Sequence, residues 1–195
     1  MLTDRSMGGF EYDSGPDGAL SARVGAGGCD SRTVIPTIRP ARAEDDAALR
    51  KLDLVTWSPA VTPSPRSLPD AAFFRAGTRL EDVLVAVVDK EVVGYIKVGA
   101  ALELESSNHV VEVQGLAVDP AMVRRGLGRA LVAAAVATAS ASGARKLTLR
   151  VLGTNAGARA LYESLGFKVE GVLKEEFWLG GCYVDDVLMA LVLPR

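Results

Sequence analysis

The run from Val118 through Asp119, Pro120, Ala121, Met122, Val123, Arg124, Arg125, Gly126, Leu127, Gly128 and Arg129 to Ala130 limits what this chain can fold into more than any other stretch. Before it, Val110 to Val118 is mostly apolar and reads as a strand, with Glu112 and Gln114 as its polar interruptions. Asp119-Pro120 stops that strand, because proline has no N–H to give to a ladder. Gly126 and Gly128 then open an alanine-rich helix predicted over Leu127 to Ser142, with Leu127, Ala130, Leu131, Ala134 and Thr138 on one face and Gly143 at its end. A strand, a glycine loop and a helix in that order make a seat for an anion. The first amide N–H groups of a helix lack intrahelical acceptors, and the macrodipole adds about half a positive charge there. Glycines let a bulky phosphate come close to those amides.

Two familiar phosphate loops do not fit. The Walker pattern needs Lys followed by Ser or Thr after its second glycine, and the loop has neither. The dinucleotide fingerprint needs a third Gly or Ala where Leu131 stands, and an acidic residue about 20 positions on to hold a ribose. From Pro120 to Tyr162 there is no acidic residue, while Arg124, Arg125, Arg129, Arg145, Lys146, Arg150 and Arg159 are all basic. In a chain of net charge −2, a region so one-sided is suited to a strongly anionic ligand. The same net charge argues against general binding to nucleic acid or to a membrane surface.

Val123-Arg124-Arg125-Gly126-Leu127-Gly128 resembles the coenzyme A pyrophosphate loop of the GNAT superfamily of N-acetyltransferases, Gln/Arg-x-x-Gly-x-Gly/Ala. Asn155-Ala156-Gly157-Ala158-Arg159-Ala160-Leu161-Tyr162-Glu163-Ser164-Leu165-Gly166-Phe167 resembles its other signature, Asn-x-x-Ala-x-x-Leu-Tyr-x-x-x-Gly-Phe. The two occur in the superfamily's order, separated by one helix and one strand. Val123 departs from the polar residue that usually opens the first motif. The resemblance implies an α/β (α+β) fold with a mixed central sheet of about six to seven strands. Helices are expected on both faces, and splayed central strands forming a V-shaped cleft. It implies acetyl-CoA as co-substrate with no metal, a small-molecule amine as acceptor, and allows a homodimer; no nucleic acid or membrane partner is expected.

The resemblance also assigns roles. Leu116, Ala117 and Val118 would pair through their backbone with the pantetheine arm, as an added strand would. Arg124, Arg125, Gly126, Leu127, Gly128 and Arg129, with Val123, would surround the pyrophosphate, and Asn155 and Ala158 would meet the cofactor from the second signature. Asn155 also reads as a helix cap, which by itself accounts for its presence. Tyr162 stands where the family's tyrosine protonates the departing thiolate; the alternative is a packed tyrosine with a satisfied hydroxyl. Glu112 falls where histone acetyltransferases of the superfamily carry their catalytic glutamate. A carboxylate among valines is costly unless paired or in use, and burial raises its pKa toward that of a general base. A structural glutamate held by a neighbouring arginine is the other reading. His109, the single histidine, lies at the strand's edge and reads more simply as a surface or structural residue. Ribosomal-protein N-terminal acetyltransferases place a glutamate five residues before this Asn; Arg150 stands there, which speaks against that subfamily.

Residues 34–195 form the expected acetyltransferase domain. Residues 1–33, with seven glycines and little apolar periodicity, read as a flexible extension. The domain is predicted to begin with a strand at Val34 to Arg39 and a helix over Arg42 to Val55, with Ala47, Leu49, Leu52 and Val55 near helical spacing. A proline-rich loop and a second short helix through Phe73-Phe74 should follow, and Trp57, Phe73 and Phe74 are either acceptor contacts or core aromatics. Hairpins are predicted about Asp89-Lys90-Glu91 and about Gly180-Gly181, the latter after a strand at Lys146 to Leu152 and the second signature helix. Phe177-Trp178 and Tyr183-Val184-Asp185-Asp186 resemble the ends of bacterial acetyltransferases acting on free amino acids or similar amines. Asp185 or Asp186 could attract an ammonium group there, or be solvated turn carboxylates. Cys29 and Cys182 imply neither a disulfide framework nor a zinc site. No apolar run reaches membrane-spanning length, and the expected location is the cytoplasm. The rivals to direct acetyl transfer to a small amine are a protein or peptide N-acetyltransferase and an acyl-CoA-binding domain that performs no transfer.

Overall fold

The computed structural model describes residues 12–14, 20–22, 36–75 and 78–194. Among them, nine strands form one mixed sheet. In chain order these are β1 (Tyr12–Ser14), β2 (Leu20–Ala22), β3 (Thr37–Pro40), β4 (Val83–Val88), β5 (Glu91–Ala100), β6 (Val110–Val118), β7 (Lys146–Leu152), β8 (Lys168–Leu179) and β9 (Cys182–Val192). Three α-helices accompany them: α1 (Asp46–Thr56), α2 (Leu127–Ala141) and α3 (Ala156–Ser164). The order across the sheet is β1-β2-β3-β4-β5-β6-β7-β9-β8. Seven strands belong to the domain expected from residue 34 onward. The other two, β1 and β2, lie within the segment read as a flexible extension and pair antiparallel at the β3 edge, Leu20 opposite Ile38 and Ser21 opposite Thr37. The remainder of residues 1–33 lies outside the described residues.

Both predicted hairpins form, for a local reason. Asp89 and Lys90 have φ of 49° and 71°, and Gly180 and Gly181 have φ of 59° and 85°. Two successive positive-φ residues give a turn whose twist matches that of the flanking strands. The neighbours β6 and β7 are parallel, so a crossover must join them, and α2 supplies it.

Alternation along each central strand divides its side chains between two cores. Leu84, Ala86 and Ile96 pack with Leu131, Ala135, Leu147, Leu149 and Met189 beneath α2. Val83, Val85 and Tyr95 pack with Leu49 and Leu52 of α1 on the opposite face. The buried surface of α2 is wider than the predicted stripe. Val132, Ala135 and Ala139 are buried too, and Thr138 is exposed. A partner on a second side explains part of this, since α3 reaches α2 closely enough that a Cβ on Gly128 would lie 3.3 Å from the Leu161 side chain. On α1 the predicted stripe narrows. Leu49 and Leu52 are buried while Ala47 and Val55 are exposed, being two and six residues from Leu49 and so on the far side of a 3.6-residue turn. No helix forms through Phe73-Phe74. Their backbone N–H groups instead donate to the Asp46 carboxylate at 2.9 and 3.0 Å, which fixes an irregular loop against the start of α1.

The entry to α1 is held by an ion pair that the sequence did not announce. Asp45 is 5% exposed and accepts two hydrogen bonds from the Arg39 guanidinium, at 2.7 and 2.9 Å, and one from the Arg42 backbone N–H at 2.8 Å. The Arg39 hydrogen bond, opposed by burial and helped by the Arg42 N–H, holds the Asp45 carboxyl below its ordinary value. A carboxyl depressed in the folded state adds stability that is complete above the unfolded pKa of about 3.9 and is lost as pH falls through the lower folded value. Asp45→Asn is therefore expected to cost about 1.5–3 kcal/mol in urea unfolding at neutral pH, with the gap closing in acid. An undiminished difference at acid pH would reject the ion pair as its source.

Candidate active site

The central feature is the parting of β6 from β7. Val110 to Val113 pair in register with Lys146 to Leu149, and the ladder stops there. Beyond it, β6 continues to Val118 bonded only to β5, with Gly115 opposite Lys97, Leu116 opposite Ile96, Ala117 opposite Tyr95 and Val118 opposite Gly94. Likewise Arg150 to Leu152 of β7 pair only with β9. The β7-facing edge of Gly115 to Val118 thus has no strand against it, and the gap between the strands is the expected V.

A bulge sits at the mouth of this V. Lys97 faces Gly115 but Val98 faces Val113, leaving Gln114 as the extra residue. Simple alternation would put Leu116 and Val118 on Glu112's face. The bulge turns them over, so Leu116 and Val118 join Val111 and Val113 beneath α2, while Ala117 joins the α1 face. Glu112, with Val111 and Val113 turned the other way, faces the α1 side as well.

Past Val118 the chain makes the predicted turn into α2. The Asp119 side chain accepts from the Ala121 N–H at 2.8 Å, and Pro120 to Met122 form a single 3-10 turn. Arg124 (φ 65°) and Gly126 (φ 79°) both take the left-handed conformation, which wraps the loop over the helix start. The first intrahelical bond runs from the Ala130 N–H to the Gly126 carbonyl at 3.0 Å. The amides of Leu127, Gly128 and Arg129 precede it and have no acceptor among the described residues. Val123, Arg124 and Arg125 are exposed around this end. Arg129 is placed differently from expectation: its guanidinium donates to the Ser164 hydroxyl at 3.0 Å, tying α2 to the end of α3.

The second signature forms α3. The Asn155 side chain caps it, accepting from the Ala158 N–H at 3.1 Å, which leaves the amide NH2 of Asn155 uncommitted. Tyr162, two turns on, is 6% exposed and packs its ring against Phe167 at 5.6 Å. Its hydroxyl has no hydrogen-bond partner among the described residues. Burial pushes that hydroxyl up to about 12, so it stays protonated at neutral pH. Tyr162 belongs to the core under α2, and Glu112 to the opposite face; the V opens between them.

Glu112 is half-buried beside Thr148, its parallel neighbour. Burial raises its carboxyl above the ordinary range, opposed by the charge of Arg150 and reinforced by that of Asp186. Among the described residues, no ion pair holds it. Arg150 is engaged elsewhere, with Asp186 at 2.5 Å and Glu176 at 3.7 Å. Asp186 is 2% exposed, and Asp185 binds Lys174 at 2.7 Å and the Glu175 N–H at 3.0 Å. Both lie in β9, after the Gly180-Gly181 turn; Asp186 is not a solvated carboxylate, whereas Asp185 stays at the surface. His109 is exposed ahead of β6, and its carbonyl accepts from Arg145 and Lys146.

On the α1 side a cavity of about 340 Å³ opens at Gly115. Phe73 lines it and also packs on the α1-side core, while Phe74 packs edge-on against Phe73 and the Trp57 indole donates to the Ser64 carbonyl at 2.9 Å, bracing the proline-rich loop. Asp53, Arg75, Tyr95 and Lys97 also line the cavity, and the sequence reading had missed them. Tyr95 and Lys97 share a face of β5, and a lysine inside an otherwise apolar strand was the available signal. Among the described residues, no group of three or more His, Cys, Asp or Glu is arranged to hold a metal ion.

Comparison with known proteins agrees with this geometry. The Acetyltransferase (GNAT) family profile matches residues 47–167. The [Ribosomal protein bS18]-alanine N-acetyltransferase of Salmonella typhimurium is 40% identical over 76 residues, 39% of this chain and 51% of that protein. The chain thus spans about half the length of the curated relatives it matches. A solved structure from Streptococcus mutans UA159 superposes with a TM-score of 0.72 at 32% identity, covering 80% of this chain and 99% of that one. A Salmonella typhimurium structure determined with its cofactor acetyl-CoA has a TM-score of 0.69 over 82% of this chain and 95% of its own; at 24% identity it speaks for the fold.

Proposed function

The chain belongs to the acetyltransferase (GNAT) family, and on that premise we propose that it transfers the acetyl group of acetyl-CoA directly to a primary amine of an amino acid or another small molecule. The observation that carries this reading is the unpaired edge of Gly115 to Val118 leading into the acceptor-free amides of Leu127, Gly128 and Arg129. In this reading the pantetheine amides pair with that edge, and the pyrophosphate lies on the α2 terminus. Arg124 and Arg125 add charge from outside, and the NH2 of Asn155 and the turn at Ala158 border the arm. A backbone N–H beside the thioester carbonyl would take up charge as the carbonyl becomes tetrahedral.

The two candidate proton-transfer groups lie on opposite faces of the sheet, which suits the reaction. The amine enters from the α1 side and loses its proton to Glu112, directly or through water. The thiolate departs on the α2 side and takes a proton from Tyr162. The C–N bond forms in the tetrahedral adduct and the C–S bond breaks as that adduct collapses, and no group is oxidised or reduced. The α-amine of a peptide N-terminus, with a pKa of about 7.7–8.0, is partly neutral near pH 7, whereas the ammonium of a free amino acid, held up by its own carboxylate, and a lysine near 10.4 depend more on Glu112 to remove the proton.

The identity to [Ribosomal protein bS18]-alanine N-acetyltransferase supports a second reading, transfer to the α-amine of a protein. The Arg150–Asp186 pair, standing where the sequence resemblance would put that subfamily's glutamate, supports the first.

The test has two stages. Calorimetry should detect CoA binding, and a thiol-release assay over free amino acids, small amines and alanine-terminated peptides should find turnover with the first group. Turnover with peptides alone would favour the second reading, and CoA binding with no turnover on any amine would favour a non-catalytic binding domain. With an active acceptor in hand, kcat should rise with pH through an ionisation above the ordinary carboxylate range, because Glu112 must be charged to accept a proton. Glu112→Gln should lower kcat and erase that ionisation, whereas an unaltered pH profile would leave Glu112 a structural role.

A further inference from the structure

The cavity at Gly115 carries charges that acetyl transfer alone does not require. Lys97 projects from β5 on the α1 face and is only partly exposed; its ammonium donates to the Thr78 hydroxyl at 3.0 Å and has no ion-pair partner among the described residues. Arg75, on the loop across from it, donates to the Ser67 hydroxyl at 3.2 Å and to the Ala72 carbonyl at 3.0 Å, and it too forms no ion pair there. The one carboxylate in the wall, Asp53, already accepts from the Tyr95 hydroxyl at 3.1 Å and from Ser67 at 2.7 Å. Neither cation lies within ion-pair distance of it. A partly buried lysine whose one side-chain hydrogen bond goes to a neutral hydroxyl can take an incoming anion without breaking an ion pair first. The cavity volume, about 340 Å³, is in the range of small-ligand sites. Its inner end is Gly115, where β6 leaves β7; a Cβ there would lie 3.6 Å from the Tyr95 ring, so the glycine leaves room at the reacting end.

Resting on the acetyl-transfer reading, we infer that the acceptor is an amine that also bears a carboxylate, as a free α-amino acid does, and that Lys97 and Arg75 bind that carboxylate while the amine points to Gly115. A peptide N-terminus, whose first carboxyl is an amide, lacks the matching group. Lys97 and Arg75 are thus specificity-determining residues for the acceptor.

The experiment measures equilibrium binding of the common α-amino acids and of their α-amides to the CoA-loaded protein by calorimetry, beside their turnover. At least one free amino acid should bind about tenfold or more tightly than its own amide, the worth of one charge-assisted contact. Lys97→Met, which keeps the length and loses the charge, should reduce that ratio to near one, and Arg75→Gln should reduce it in the same direction. The unfolding temperature of each variant checks its fold. Arg75 sits on an exposed loop, so its variant carries the test should Lys97→Met be unstable. Amides bound as well as acids, or a ratio that survives both substitutions, would overturn the inference and leave acetyl transfer standing. A protein that binds no CoA would remove acetyl transfer, and this inference with it.

Discussion

Replacing Tyr162 with phenylalanine is expected to lower kcat by about 10²- to 10⁴-fold, the usual worth of a general acid, while leaving the affinity for CoA nearly unchanged. The substitution is mild in every other respect. The hydroxyl it removes has no partner among the described residues, and the ring would keep its place against Phe167. Thermal stability should therefore barely move. The elevated hydroxyl pKa keeps the proton in place until negative charge develops on the sulfur. Comparable kcat values for the two proteins would withdraw the role proposed for Tyr162, and a matching loss of CoA affinity would turn it into a packing residue.

Phe167→Ala is expected to destabilise the domain by about 3–5 kcal/mol, a large part of the 5–15 kcal/mol that holds a typical domain together. Phe167 is fully buried, and it follows Gly166, whose φ of 92° suits only glycine well. Its own N–H donates to the Tyr162 carbonyl at 3.1 Å, closing the end of α3. The cavity left by its ring would lie directly against Tyr162, so turnover should fall further than the loss of folded protein explains. Urea unfolding and a thiol-release rate corrected for the folded fraction measure the two effects separately. Phe167→Leu, which fills more of the space, should recover most of both. A change below 1 kcal/mol for the alanine variant would mean that the core under α2 relaxes around the gap.

Much of the loop that leads into α2 was legible because it is local. Asp119-Pro120, Gly126 and Gly128 act within a few residues of themselves: a stopped strand, a left-handed turn and a helix start follow from backbone sterics wherever the rest of the chain lies. The same holds for the Asn155 cap, for Tyr162 two turns beyond it, and for both hairpins. Expectations failed where the cause was distant in sequence. Phe73-Phe74 form no helix because Asp46, 27 and 28 residues away, takes their amides. Arg129 turns from the loop to Ser164, 35 residues on. Asp186 is buried because Arg150, 36 residues before it, comes beside it across the β7–β9 ladder.

By itself, the sequence determined the two signatures, the order of the elements from β4 onward and the concentration of basic residues around the loop. Each is a property of neighbours along the chain, and short-range sterics and periodicity suffice to read it. Tertiary structure alone decided that Gln114 bulges, so that Leu116 and Val118 turn from Glu112's face, and that Lys97, Arg75 and Asp53 meet at Gly115. Side-chain facing depends on register with the next strand, and the company a charge keeps depends on segments that only folding brings together.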